Sequence, residues 1–404
     1  MKILYLIRHY KPEIGACSLR ASNTAHVWAS KGEKVTIFTG WPSYPMGKLY
    51  PGYKVELLGE EYDGDVRVLR SKSFVKATKS LFLHAWEGVY YQFFGTLNLM
   101  CNFKKIGSDF DVVIASTEPF FMCTLGYKFA KKYKVPFVLE FRDITYESLV
   151  ATGLSKDSLR VRLVKKIEVR LSKKADRIIV VSNGYKNVLV RDGIEPNKID
   201  VVPNGSTLID TKKVVDNEYP AFGYFGTLGI SQNIQHTVEL LGDVNKNIDC
   251  AYNIIGEGAK RELIEDLISE NRYNFVDMKR GMSSDELEPY YGKIDFSIVS
   301  LVNNPAFAPT IPSKIFQSFA RGIPVIYFGP EGDASDIIRK NNAGIVLSDN
   351  DDVAKSQLIE FFSNDDWKSK ADAMGENAKR TLVEGYNRKT LAIKALNSLK
   401  KTQE

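Results

Sequence analysis

The feature that most constrains this chain is an end-to-end alternation of short apolar runs with longer stretches of helical periodicity. The runs are Ile3–Ile7, Lys34–Thr39, Asp111–Ala115, Phe137–Glu140 and Arg177–Val181, then Ala221–Phe225, Ala251–Ile255, Phe296–Ser300, Pro324–Tyr327 and Gly344–Leu347. They lack the polar alternation of a strand with one wet face, so they suit strands covered on both faces, which means parallel sheets in an α/β arrangement. The series restarts near residue 220, after a segment holding Pro203, Asn204, Gly205 and the polar run Asp210–Glu218, as a linker does. The pattern predicts two doubly wound domains, residues 1–205 and 206–384. A ligand crevice is expected between the carboxyl ends of their strands.

Composition narrows the class further. With 44% hydrophobic and 26% charged residues over 404 positions, the chain buries a large core and is neither disordered nor collagen-like. Cys17, Cys101, Cys123 and Cys250 lie far apart, which indicates neither a disulfide framework nor a zinc site and suggests a reducing compartment. Arg8, His9 and Lys11 end the first apolar run too early for a signal peptide, and no stretch approaches the ~20 apolar residues that span a bilayer. Residues 1–200 carry 32 basic against 20 acidic side chains, and the rest carry 23 against 29, so the first half is expected to face something anionic.

Two stretches depart from the strand–helix pattern. Residues 72–105 place Phe82, Trp86, Tyr90, Phe93 and Leu97 at helical spacing, with Lys72, Lys76, Lys79, Lys104 and Lys105 at the flanks. This reads either as a core helix or as one that dips into a membrane interface. Residues 156–174 set eight basic side chains around a seam of Leu159, Leu163, Ile167 and Leu171, either a solvated face or a basic surface.

Residues able to carry chemistry cluster in four places. Gly15 follows the first strand and precedes a helix, where a ligand can approach the backbone and helix N–H groups can meet an anion. Gly256-Glu257-Gly258 closes the strand Ala251–Ile255 and either cradles a nucleotide or simply turns the chain. Pro312-Ser313-Lys314 opens a helix that Gly322 closes. A lysine in a first turn opposes the helix dipole, and bound diphosphate would compensate it. Glu140-Phe141-Arg142-Asp143 and Glu147 follow a buried strand, so they can do acid–base work, hold a hydroxylated substrate, or form a structural ion pair. GxGxxG is absent, and neither a Ser/His/Asp set nor a His/Cys metal spacing is visible, so dehydrogenase, hydrolase and metalloenzyme readings find no support.

Taken together, Tyr10-Lys11-Pro12-Glu13-Ile14-Gly15, Thr39-Gly40-Trp41-Pro42-Ser43-Tyr44-Pro45, Arg142-Asp143, Ala175-Asp176-Arg177-Ile178, Val202-Pro203-Asn204-Gly205, Ile311-Pro312-Ser313-Lys314 and Ala320-Arg321-Gly322-Ile323-Pro324-Val325 resemble a GT-B glycosyltransferase of family 4. The likeness is greatest to the branch that transfers fucosamine-type sugars. It implies two Rossmann-like domains, with a C-terminal helix at about 385–404 packing back on the first. It also implies retaining transfer from a nucleotide-diphosphate donor, a UDP-N-acetyl-sugar in this branch, to a lipid-linked saccharide of bacterial O-antigen, capsule or exopolysaccharide. The reaction would run on the cytoplasmic face of an anionic membrane, with no metal, cofactor or nucleic acid. Carried over by position, Gly15, Asn204, Gly226, Gly256, Glu257, Gly258, Ser313, Lys314 and Gln317 would hold the donor. Gly15, Arg142, Asp143, Glu147 and Lys314 would serve the reaction. Gln317 stands where the family usually has the second glutamate of E-x7-E, and Pro309 stands where it has the first. The Gly223–Gly229 loop lacks a basic residue found in many relatives, which leaves Lys314 as the cation for diphosphate. The alternatives are an epimerase of similar fold and a decayed nucleotide-sugar-binding protein.

Overall fold

The computed structural model describes residues 1–44, 46–75, 81–117 and 121–403. The chain divides into two compact units: residues 1–147, 155–203 and 388–404 form the first, and 148–154 with 204–387 form the second.

The first unit is built on an eight-stranded sheet. Its strands are β1 (Lys2–Leu6), β2 (Lys34–Gly40), β3 (Leu58–Asp63), β4 (Val66–Ser71), β5 (Val112–Ser116), β6 (Phe137–Phe141), β7 (Arg177–Val180) and β8 (Ile199–Val201), in the order β3-β4-β2-β1-β5-β6-β7-β8. All pairings are parallel except β3 with β4. β5 and β6 are buried at every position, and only Ser116 and Glu140 interrupt their apolar sequences. The antiparallel edge strand β3 reads LGEEYD and exposes Glu60 and Tyr62, a polar edge that discourages pairing with other chains. Helix Ala16–Ser30 and the C-terminal helix Arg388–Lys400 cover the sheet together, and the buried Trp28 donates its indole N–H to the Ala392 carbonyl at 2.7 Å. The C-terminal helix thus supplies Leu391, Ala395, Leu396 and Leu399 to the first unit's core.

The second unit has a six-stranded, wholly parallel sheet. Here β9 (Ala221–Phe225), β10 (Ala251–Ile255), β11 (Val276–Lys279), β12 (Phe296–Ser300), β13 (Val325–Phe328) and β14 (Gly344–Val346) run in the order β11-β10-β9-β12-β13-β14. Winding outward from β9 in both directions puts the reversal of strand order between β9 and β12. In doubly wound sheets the carboxyl edge at such a reversal is the usual place for a ligand. In the first unit the corresponding reversal falls between β1 and β5.

The aromatic stretch forms helix Leu81–Cys101; Lys76 and Lys79 lie outside the described residues, as do Pro45 and the side chain of Phe82. The helix is two-faced. Tyr91, Asn98 and Leu99 are buried, and Gly88 and Gly95 let helix Phe121–Tyr133 come close, since a Cβ on Gly95 would fall 2.4 Å from Leu125. Trp86, Val89, Phe93 and Met100 form an exposed stripe on the other face. In helix Leu159–Lys174 the expected seam is displaced. Leu159 and Leu163 are exposed, whereas Val161, Val164, Glu168, Leu171 and Ser172 form the buried face.

Candidate functional site

Two loops at the carboxyl edge of the second unit press against each other. Gly226 follows β9 and Gly256 follows β10, and the Gly226 N–H donates to the Ile255 carbonyl at 2.8 Å. A Cβ on Gly256 would stand 1.8 Å from the Gly226 carbonyl oxygen, and one on Gly258 would stand 2.3 Å from that of Leu228. Leu228 N–H donates to the Glu257 carbonyl at 2.8 Å, and Lys260 N–H donates to that of Leu228 at 3.0 Å. Only glycine permits this approach of backbone to backbone.

Lys314 lies over these loops. It is the second residue of helix Ser313–Phe319, and a Cβ on Gly226 would fall 2.6 Å from both its Cε and its Nζ. The ammonium sits 5.0 Å from the centre of the Tyr224 ring. Among the described residues it makes no ion pair and no hydrogen bond. Burial pushes its pKa down to about 8. A desolvated cation without a counter-charge is costly, and an anion in contact with it would remove the cost.

The other residues expected on the donor side belong to the same unit. Ser313 is exposed at the helix start, and Gln317 lies half-buried one turn on, its carbonyl accepting from the Arg321 guanidinium at 2.8 Å. The half-exposed Glu257 carboxylate accepts from Gly281 N–H at 3.3 Å and lies 3.8 Å from Arg261. Asn204, half-buried, opens the second unit.

At the carboxyl edge of the first unit, Gly15 sits in extended backbone immediately before helix Ala16–Ser30, with the Tyr44 ring 3.4 Å from where its Cβ would be. Arg142 and Asp143 follow β6 and face opposite ways. Arg142 is buried and pairs with Glu140 inside the strand; Glu140 in turn accepts from the Tyr5 hydroxyl at 2.6 Å. The ion-pair option is therefore realised at Arg142. Asp143 is exposed and accepts from the Tyr185 hydroxyl at 3.0 Å. Glu147 pairs with Arg191 at 2.7 Å.

Sequence reasoning missed three carboxylate or imidazole groups here. Glu168, buried in helix Leu159–Lys174, accepts from the N–H groups of Thr145 at 3.2 Å and Tyr146 at 3.3 Å and so fixes the turn after Asp143. Burial pushes its pKa up to about 7, against the hydrogen bonds that favour the ionised form. His9 and Glu13 form a pair beside Gly15, with Nδ1 and Oε2 separated by 2.7 Å. Among the described residues no three His, Cys, Asp or Glu side chains gather in a way that could hold a metal ion.

A third surface belongs to the outside of the first unit. Trp86 and Phe93 expose 51% and 62% of their area, enough to count as an apolar patch and not as scattered contacts. Lys128, from helix Phe121–Tyr133, rims the stripe by donating to Thr96 at 3.1 Å and Gln92 at 3.3 Å. It also lines a neighbouring depression with Lys131, Lys132 and Leu171, which carries the basic surface on to helix Leu159–Lys174. Among the described residues no helix is long and apolar enough to cross a membrane.

Two doubly wound parallel sheets in one chain define a tandem Rossmann-like α/β protein. Residues 21–208 match the model described as Glycosyltransferase Family 4, and residues 206–381 match Glycosyl transferases group 1. By both models and by fold, the chain belongs to the GT-B-type glycosyltransferases. Among curated proteins it is 26% identical over 274 residues to the probable glycosyltransferase WbjE of Pseudomonas aeruginosa, covering 62% of this chain and 65% of WbjE. It thus spans just under two thirds of that relative's length and 54% of the next. Among solved structures, Anabaena HepE in complex with UDP-glucose superposes with a TM-score of 0.67 at 14% identity, over 99% of this chain and 100% of that one. The lipopolysaccharide outer core galactosyltransferase WaaB superposes with 0.64 at 17% identity over the full length of both. At these identities the superpositions establish the fold.

Proposed function

We propose that this protein transfers a sugar, with retention of configuration, from a uridine-diphosphate donor to a lipid-linked saccharide in bacterial surface-polysaccharide assembly. The observation that carries the proposal is Lys314, whose half-buried ammonium lies against Gly226 without a counter-charge among the described residues. Departing diphosphate develops charge on its oxygens, and a positioned cation in a desolvated setting meets that charge without reorganisation. Gly226, Gly256 and Gly258 let the two loop backbones and the Lys314 side chain pack together at this edge, and Gln317, one turn on, presents an amide suited to a ribose hydroxyl. Asp143 offers an exposed carboxylate to the acceptor side, steadied by Tyr185 and by the turn that Glu168 holds. That HepE was solved with UDP-glucose and that WaaB is a lipopolysaccharide galactosyltransferase agree with this reading.

The test is a screen of nucleotide sugars with polyprenyl-diphosphate-linked saccharides. Donor turnover is followed by mass spectrometry and the product anomer by NMR, with and without EDTA. Expected are acceptor-dependent transfer from a UDP-sugar, retained configuration and insensitivity to EDTA. Acceptor-independent interconversion of the donor would instead establish an epimerase, and a strict divalent-metal requirement would remove Lys314 from the central role.

The stripe of Trp86, Val89, Phe93 and Met100 with its lysine rim suits the surface of an anionic bilayer, where a lipid-linked acceptor resides. Sedimentation with phosphatidylglycerol-containing liposomes is expected to be salt-sensitive and to weaken about tenfold or more in the Trp86→Ser, Phe93→Ser variant. Binding indifferent to lipid charge would make the stripe a feature of something other than membrane contact.

A further inference from the structure

The loops at the carboxyl edge of β1 and β2 carry a half-open pair of rings that the donor chemistry does not use. Glu13 is 5% exposed, and its Oε1 accepts from the N–H groups of Ser43 at 2.8 Å and Tyr44 at 2.9 Å. One carboxylate thereby ties the loop after β1 to the loop after β2. Its Oε2 meets His9 Nδ1 at 2.7 Å. These hydrogen bonds, with Arg8 nearby, outweigh burial and hold the Glu13 carboxyl below its ordinary range. An ionised carboxylate accepts only, so Nδ1 must be the donor. In the neutral imidazole Nε2 then carries the lone pair, and among the described residues it makes no hydrogen bond.

The Tyr44 ring stands 4.9 Å from the His9 ring and is tilted 52° to it. Tyr44 is about half exposed, and Gly15 leaves the ring edge uncovered. Its position is fixed from behind, since Tyr50 donates its hydroxyl to the Tyr44 carbonyl at 2.9 Å. The edge therefore presents an aromatic face set by backbone hydrogen bonds and, beside it, a nitrogen acceptor whose tautomer is set by a buried carboxylate. A pyranose has the complementary chemistry, with a face of C–H groups that packs on an aromatic ring and hydroxyls at its margin that donate in fixed directions.

We infer that His9, Glu13 and Tyr44 form a saccharide-binding site in which one sugar ring of the acceptor packs on Tyr44 and donates a hydroxyl hydrogen bond to His9 Nε2. Glu13 acts as a positioning residue, holding the imidazole tautomer and both loops. The assignment to the acceptor rests on the glycosyltransferase reading, but saccharide binding itself is measurable without turnover.

The experiment is saturation-transfer NMR of the full chain with a panel of methyl pyranosides (glucose, galactose, N-acetylglucosamine, fucose and rhamnose). Calorimetric titration of UDP on the same samples runs alongside. At least one glycoside is expected to receive saturation, strongest on the C–H protons of one ring face. Tyr44→Leu should abolish that pattern, and His9→Phe, which keeps a ring but removes the acceptor, should weaken the glycoside about five- to tenfold. UDP affinity should be unchanged in both variants, which also reports that they are folded. Failure of every glycoside to bind wild-type protein, or binding untouched by either substitution, overturns the site. Loss of UDP binding in wild-type protein with glycoside binding retained would instead refute the donor reading and leave the saccharide site standing.

Discussion

Lys314→Met is expected to make the ligand-free protein more stable and to cost it its donor. The native pKa of about 8 lies below the 10.5 of an unburied lysine, so folding at neutral pH requires burying a charge that the unfolded chain leaves in water. The sign follows from proton counting. Below pH 8 both states hold the proton and the full penalty is present. Between about pH 8 and 10.5 the unfolded state binds more protons than the native one, and stability rises with pH as the penalty is relieved. A separation of this size corresponds to roughly 3 kcal/mol. Methionine keeps the stem and removes the charge. Its melting temperature should exceed that of wild type at pH 7, with the gap closing towards pH 10.

The same substitution is expected to weaken UDP by about tenfold to a hundredfold and uridine hardly at all, because a charge-assisted contact to phosphate is worth ~1.5–3 kcal/mol. Binding of UDP near pH 8 should also take up a fraction of a proton, seen as a dependence of calorimetric heat on the ionisation enthalpy of the buffer. A site that stores instability until its ligand arrives is the usual trade between function and stability. A variant that melts lower than wild type and binds UDP equally well would show that Lys314 is a structural side chain.

The sheets were legible because their strands are covered on both faces. β9, β10 and β12 have the bounds that the apolar runs predict, since buried apolar side chains dominate those sequences. β3 and β4 were not legible. β3 carries Glu60, Glu61 and Asp63 because it is an edge, and its place is fixed by ion pairs of Glu60 with Arg67 and of Glu61 with Arg70, which no periodicity displays. β11 reads VDMK, with no fully buried position, and escapes for the same reason.

The grouping of Gly226, Gly256 and Lys314 is legible through the rules it breaks, glycines at strand ends and a lysine at a helix start. The carboxylates of the first unit break no such rule. Glu168 stands in the stripe Val161, Val164, Leu171, where one acid at core spacing is the signal, but the adjacent stripe of leucines is the stronger periodic pattern. In sequence, His9 ends an apolar run and Glu13 stands inside the motif Tyr10-Lys11-Pro12-Glu13-Ile14-Gly15. Their pairing depends on the turn at residues 10–13, which composition does not specify.

Gly256→Ala is expected to damage the second unit more than its single added carbon suggests. The methyl would stand 1.8 Å from the Gly226 carbonyl oxygen, and that atom is backbone, held by the Gly226 N–H bond to Ile255 and by strand β9 behind it. Relief requires the two loops to part, which moves Gly226 away from the lysine whose Cε and Nζ lie against it. Overpacking of a rigid site costs about 1–3 kcal/mol, and displacing Gly226 relative to Lys314 should lower UDP affinity about tenfold or more, because the phosphate contacts depend on that spacing. Gly281→Ala is the control. Its Cβ would meet the Glu257 side chain at 3.1 Å, a flexible group that can turn aside, so stability and UDP binding should change little. The comparison needs only melting curves and calorimetric titrations of the two variants. If Gly256→Ala behaves like Gly281→Ala, the approach of the two loops is loose, and the glycines do not shape the place where diphosphate meets Lys314.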